Sequence, residues 1–167
     1  ATGSGRPVSC LPDQARSREP QMTHRAVAYT STAVAGLTPA DLDHLLVDAR
    51  ARNRMEGVTG VLLYDGQRFF QYFEGPDAGV ERIYARIRGS RMHVELDVLQ
   101  DGPVQQLHFM QWHMGCTRTD GSVLLQLSSR QWQQQARYLG EDLARASDTP
   151  GLRGLLAFWE QQEAALS

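Results

Sequence analysis

A tyrosine, two carboxamides and a tryptophan–histidine–methionine run stand inside apolar stretches of this chain: Tyr29, Asn53, Gln71 and Trp112-His113-Met114. Gln71 lies in Phe69-Phe70-Gln71-Tyr72-Phe73-Glu74-Gly75. On a strand, positions 69, 71 and 73 share one face, which sets the amide between two phenylalanines. If that face is buried the amide needs partners, because burying it unpaired costs roughly 1–3 kcal/mol. A planar heteroaromatic ligand bearing carbonyls and ring nitrogens would supply them. Tyr29 adds a phenol able to lose an electron and a proton together. Asn53 adds a second amide that donates and accepts at once.

The composition removes the common alternatives. All 17 basic residues are arginines, so a P-loop lysine, a Schiff base and pyridoxal attachment are excluded. His24, His44, His93, His108 and His113 are scattered, and without a Cys-x-x-Cys no metal centre is expected. There is no G-x-S-x-G elbow and no G-x-G-x-x-G loop. A net charge of −2 gives no pull toward nucleic acid or an anionic membrane. No run of ~20 apolar residues suggests a membrane span, and Cys10 with Cys116 makes no disulfide framework. A cytoplasmic protein is the expectation. At 167 residues the chain has room for one domain with appendages. Residues 1–21 lack the apolar core of a signal peptide and read as a disordered leader or expression scar, with Met22 as a native start.

The elements that must position these groups follow from local patterns. Residues 25–31 read as a first strand. Thr38-Pro39-Ala40-Asp41 opens a helix, with Thr38 as N-cap and Pro39 in the first turn. Leu42, Leu45, Leu46 and Ala49 then share a face of a helix that runs to about Asn53 and is closed by Gly57. Residues 58–64 form a buried-type strand, Asp65-Gly66 a hairpin turn, and 68–73 the return strand, stopped at Glu74-Gly75-Pro76. Val80, Ile83, Tyr84 and Ile87 mark a second amphipathic helix ending near Gly89. Residues 94–99 are a strand, Asp101-Gly102-Pro103 a turn, and 109–116 a last strand. The order β-α-β-β-α-β-β predicts an α+β, ferredoxin-like fold, with two helices on one face of a five-stranded mixed sheet. After Thr119-Asp120-Gly121 the composition turns helical, over 130–146 and 152–166 with a break at Thr149-Pro150-Gly151. These helices, carrying Trp132, Tyr138, Phe158 and Trp159, are expected over the bare face of the sheet. The alternative is an exposed apolar patch serving a homo-oligomer. The resulting division is 1–21 leader, 22–118 ligand-binding domain and 119–167 helical extension.

Taken together, AVAYTS (Tyr29), RARNRMEGVTG (Asn53), LLYDGQRFFQYFEG (Gln71) and QWHMG (Trp112, Met114) resemble the BLUF domains, blue-light sensors that use FAD. The resemblance runs from about Arg25 to Cys116. It implies a photosensory protein of bacterial type rather than an enzyme, with FAD held non-covalently by Tyr29, Asn53, Gln71 and Met114. Ile83, Ile87 and Leu42 would grip the ring, and Arg52 would touch it beside Asn53. Arg86, Arg88 and Arg91 would meet the pyrophosphate or form a solvated face. Arg50 and Arg54 keep the reading of a solvated helix surface. By the same resemblance, light drives electron and proton transfer from Tyr29 to the flavin and leaves the Gln71 hydrogen bonds rearranged, as rotamer or tautomer. Trp112, Met114, Cys116 and the C-terminal helices would relay the change to an unknown downstream protein.

Each residue alone has a plainer role: packing for Tyr29, a solvent-facing strand position for Gln71, a helix C-cap for Asn53, core for Trp112 and Met114. The four motifs in order outweigh these separate readings. Two alternatives are weaker: a flavin-free interaction module of the same fold, which leaves the Tyr29, Asn53 and Gln71 set unused, and an acylphosphatase-type enzyme. The latter needs an arginine-bearing phosphate loop after the first strand, where Ser31-Thr32-Ala33-Val34-Ala35-Gly36 has no basic residue. A flavin reductase would need a nicotinamide site that a ring gripped between helices does not offer.

Overall fold

A computed structural model describes Gly3 and residues 23–116, 123–143 and 149–166. The expectations for the leader apart from Gly3, for Cys10 and for the shift at Thr119-Asp120-Gly121 lie outside the described residues, as does the Cys116 side chain.

Strand β1 (His24–Ala33) leads to helix α1 (Pro39–Glu56), then to the hairpin β2 (Thr59–Tyr64) and β3 (Arg68–Pro76). Thr38 caps α1 through a capping box, accepting from the Asp41 N–H while Asp41 accepts from the Thr38 N–H. Gly57 ends the helix in the left-handed region at φ 68°, which glycine enters without penalty. Helix α2 (Asp77–Arg88) precedes β4 (His93–Val104) and β5 (His113–Cys116). The strands lie in the order β4-β1-β3-β2-β5, antiparallel except for β2 beside β5. This is the expected five-stranded mixed sheet.

Two strand boundaries differ from the sequence reading. The Asp101-Gly102-Pro103 turn is absent: β4 continues through it, opposite Val27, Ala26 and Arg25. An edge strand tolerates a proline that cannot donate to a ladder, and Arg25 grips the Asp101 carboxylate with two bonds, 2.7 and 2.9 Å. The last strand is shorter than expected, beginning at His113 rather than Phe109. Because β4 and β5 occupy opposite edges, residues 105–112 must traverse the sheet instead of running along it. Four strand spacings of about 4.8 Å make roughly 19 Å, within reach of an eight-residue segment.

The two C-terminal helices also begin elsewhere than expected. Helix α3 spans Val123–Leu143, and α4 spans Pro150–Leu166. Pro150 opens α4 rather than breaking the chain, a first-turn position where its missing N–H costs nothing, and the Arg153 N–H bonds to the Thr149 carbonyl.

The sheet is covered on both faces. Under α1 and α2 lie Val27, Tyr29, Leu62, Phe69, Phe73 and Met114. On the other face Trp132, Leu139, Leu152, Leu155 and Trp159 close over Ala28, Val61, Leu63, Phe70 and Tyr72. Trp132 is wholly buried there, so this aromatic set is internal core, whereas Tyr138 is 67% exposed.

Candidate functional site

Between α1, α2 and the sheet is a cavity of about 500 Å³, a size usual for small-molecule sites. Leu45, Asp48, Ala49, Arg52 and Asn53 line it from α1, at spacings that place them on one helical stripe. Ile83, Arg86 and Ile87 line it from α2, Gly89, Ser90 and Met92 from the turn that follows, and His93 from the start of β4. The floor is Tyr29, Leu62, Phe69 and Gln71.

The floor owes its order to strand register. Tyr29 on β1 stands directly opposite Gln71 on β3, Gln71 opposite Leu62 on β2, and Leu62 opposite Met114 on β5. These four residues make one row across the sheet, with all their side chains in the same core. The Tyr29 hydroxyl donates to Gln71 Oε1, both residues being buried. Burial pushes the Tyr29 phenol well above its usual range, so it stays protonated at any ordinary pH. With Oε1 occupied by the hydroxyl, Nε2 is the donor end of the Gln71 amide.

Asn53 sits in the last turn of α1, where its backbone carbonyl accepts the Val58 N–H at 2.8 Å. The residue is 2% exposed, and Nδ2 has no hydrogen-bond partner among the described residues. An orphaned buried donor at a cavity wall is what a ligand carbonyl satisfies. Apolar walls from Ile83, Ile87 and Leu62, amides at one edge and arginines at 52 and 86 together suit a planar ring with a polar edge and an anionic tail.

The sequence-predicted residues are not all brought to the cavity. Tyr29, Asn53, Gln71, Arg52, Ile83, Ile87 and Arg86 line it. Arg91 is exposed and outside the lining, although its neighbours Ser90 and Met92 belong to it. Arg88 lies over the Tyr84 ring at 4.3 Å and pairs with Glu81 at 3.3 Å, engaged away from the cavity. Leu42 is buried in the core rather than in the lining. Met114 and Trp112 also lie in that core outside the lining, with Met114 separated from Gln71 by Leu62 alone. Trp112 precedes β5, and its Nε1 has no partner among the described residues.

Two residues escaped the sequence reading. His93 lines the cavity, 5.8 Å from the Tyr29 ring between centroids. Its Nε2 lies 2.9 Å from the Ile87 carbonyl and must donate there, while Nδ1 meets Ser31 Oγ at 2.7 Å. A single histidine at a strand start carries no local signal of this. Arg50, read as a solvated surface, is half-buried: it donates to the Trp112 carbonyl at 3.3 Å and to Ser128 of α3 at 3.2 Å. Desolvation lowers its pKa, as does the nearby Arg54. Arg50 therefore ties α1, the approach to β5 and α3 together.

Beyond Trp112, alternate residues face opposite sides. Met114 points to the cavity side, whereas Gly115 meets Leu63 and Trp132 of the other core. His113 is buried against Phe109, at 6.3 Å between rings; desolvation lowers its pKa, against a hydrogen bond it donates to Gln131 of α3, which raises it.

Among known proteins, a photoactivated adenylate cyclase subunit alpha-like protein of Euglena gracilis is 36% identical over 81 residues, covering 48% of this chain and 8% of that protein. The blue light- and temperature-regulated antirepressor BluF of Escherichia coli is 36% identical over 55 residues, covering 33% and 14%. The chain thus spans only a small part of the length of these curated relatives. The dark-state structure of BlrB, a BLUF protein, superposes with a TM-score of 0.55 at 24% identity, over 81% of this chain and 96% of that one, a likeness of fold. The model of the family described as sensors of blue light using FAD matches residues 25–115, more than half of the chain. With the cavity, its amide edge and the sheet order all in agreement, the chain belongs to the BLUF family.

Proposed function

We propose that this chain is a blue-light receptor in which Tyr29 and Gln71 form the switch and the segment from Trp112 into α3 carries the change to a separate protein. The observation that carries this reading is the register pair Tyr29–Gln71, hydrogen-bonded on the floor of the cavity.

Asn53, Gln71 and Arg52 would hold the polar edge of FAD, Ile83 and Ile87 its ring, and Arg86 its charged tail. Bound FAD supplies blue-light absorption and, once excited, acceptance of one electron. Tyr29 loses its electron and its phenolic proton together, since burial disfavours both the phenolate and any charge left on the ring. The proton leaves along the bond the hydroxyl already makes to Gln71 Oε1. The electron and the proton return to Tyr29, the Gln71 amide is left with a different hydrogen-bond pattern, as rotamer or tautomer, and no covalent bond to the protein forms.

A rearranged amide matters only if it biases an element with two arrangements. The row Gln71–Leu62–Met114 leads to β5. Arg50 holds the Trp112 carbonyl and Ser129 of α3 donates to the Met114 carbonyl at 3.3 Å. These contacts favour residues 119–167 as the output extension of a sensing domain spanning 22–118. A flavin-free interaction module leaves the buried Asn53 donor without a purpose.

The test is an absorption spectrum in darkness and immediately after blue light. A flavin spectrum that shifts slightly to the red and relaxes in the dark supports the reading. Tyr29→Phe and Gln71→Leu should each abolish the shift while flavin stays bound. A protein that remains colourless after incubation with FAD refutes it.

A further inference from the structure

Residues 105–112 traverse the sheet from one edge to the other, and their course is held at one point. His108 and Phe109 there make no ladder, yet all four of their backbone polar groups have partners. Glu74 Oε1 accepts both N–H groups, that of Phe109 at 2.7 Å. Gln135 of α3 donates to the His108 carbonyl at 2.9 Å, and Thr59 Oγ1 to the Phe109 carbonyl at 2.9 Å. Glu74 and Thr59 are themselves register partners on β3 and β2. One cross-strand pair and one residue of the output helix therefore close on the backbone of two consecutive residues.

Glu74 is the centre of this arrangement. It is wholly buried, and its second oxygen accepts the Tyr72 hydroxyl at 2.9 Å. Phe109 packs on Tyr72 at 5.4 Å between ring centroids and on Trp132 of α3 at 6.4 Å. Three residues beyond Phe109 stands Trp112, whose carbonyl Arg50 holds. A buried carboxylate is costly and is matched by donors where it is kept. Here its donors are two main-chain N–H groups of the crossover and the Tyr72 hydroxyl rather than a basic side chain, so what it secures is the path of that segment.

We infer that Glu74 is a positioning residue for signal transmission: its carboxylate clamps the 108–109 peptides so that Trp112 and β5 are presented to α3 in one register. Glu74 touches neither the cavity nor the Tyr29–Gln71 pair, and its effect passes through the crossover. This inference rests on the photoreceptor reading for its consequence but not for the clamp itself.

The experiment uses the full chain loaded with FAD and compares Glu74→Gln with Glu74→Ala. Glutamine keeps an acceptor oxygen for the two N–H groups and an amide that donates to the Tyr72 oxygen; alanine keeps neither. Amide exchange in the dark should show the protection of His108 and Phe109 falling by roughly tenfold or more in the alanine variant and held near wild type in the glutamine variant. Dark recovery after blue light should change severalfold with alanine and little with glutamine, while the size of the red shift is kept in both. Unchanged protection in Glu74→Ala overturns the clamp, as does a Glu74→Gln variant as disturbed as the alanine one. Loss of protection with recovery unaltered overturns the role in transmission. If wild type shows no red shift, the photoreceptor reading and the transmission role fail together, and exchange still decides the clamp.

Discussion

Gly115→Ala tests whether β5 and α3 are joined as tightly as the relay requires. A Cβ built on Gly115 would lie 2.2 Å from Leu63 Cδ2 and 2.6 Å from Trp132 Cδ1. Carbon atoms rest about 3.5–4.0 Å apart, so the leucine methyl would have to retreat by roughly 1.5 Å and the indole by roughly 1 Å. Both residues are wholly buried and have no open space to take up. Overpacking of this kind costs about 1–3 kcal/mol, and two blocked neighbours place this site toward the upper end. For a chain of this size the melting temperature should fall by roughly 4–12 °C. The assay is a thermal melt followed by circular dichroism, together with light-minus-dark absorption of the flavin. Because Gly115 faces away from the cavity, the red shift should survive while α3 is pushed off β5. A melting temperature within about 1 °C of wild type would refute the packing reasoning. A lost red shift in a folded protein would refute the assignment of Gly115 to the opposite face.

Three further outcomes follow from individual side chains. Asn53→Ala should weaken FAD binding by roughly 5- to 30-fold in a titration, the value of one or two hydrogen bonds; the flavin-free protein should unfold within about 1 kcal/mol of wild type, since Asn53 Nδ2 has no partner among the described residues to lose. Arg50→Gln should keep the red shift and alter dark recovery by roughly 5- to 30-fold, measured as the return of the dark spectrum, because it releases the Trp112 carbonyl and Ser128 together. Burial raises the Glu74 pKa from 4.5 to about 6 against the opposing hydrogen bonds. The folded state therefore takes up this proton at a higher pH than the unfolded chain. The Glu74 contribution to stability then falls as pH rises from 4.5 to 6, by roughly 2 kcal/mol in all. Urea unfolding of wild type and Glu74→Gln across that window should show the slope in wild type and lose it in the variant; parallel curves would contradict the burial of an ionised carboxylate.

Much of the molecule is legible in the chain because its causes are local. Thr38-Pro39-Ala40-Asp41 and Gly57 bound α1 through backbone groups within a turn or two of themselves. Asp65-Gly66 closes the β2–β3 hairpin for the same reason: Asp65 Oδ1 accepts the Gln67 and Arg68 N–H groups. Period-two and period-3.6 apolar patterns assign Gln71 and Tyr29 to a sheet face and Ile83 with Ile87 to a helix face. The motifs around Tyr29, Asn53, Gln71 and Trp112 are enough to identify the family.

What tertiary structure decides is everything that depends on which strands become neighbours. Asp101-Gly102-Pro103 has the composition of a turn, yet edge pairing with β1 and the Arg25 grip on Asp101 keep it extended. Residues 109–112 have the composition of a strand, but β4 and β5 stand at opposite edges, so this stretch is spent on the traverse. Arg50 reads as a solvated helix charge from its neighbours in sequence, and Glu74 only as part of a strand stop. They are drawn inward by peptide groups more than thirty residues away, those of Trp112, His108 and Phe109. The Tyr29–Gln71 bond itself exists because antiparallel register sets those two positions opposite one another. Local chemistry names the residues of the switch; only the order of the strands brings them together.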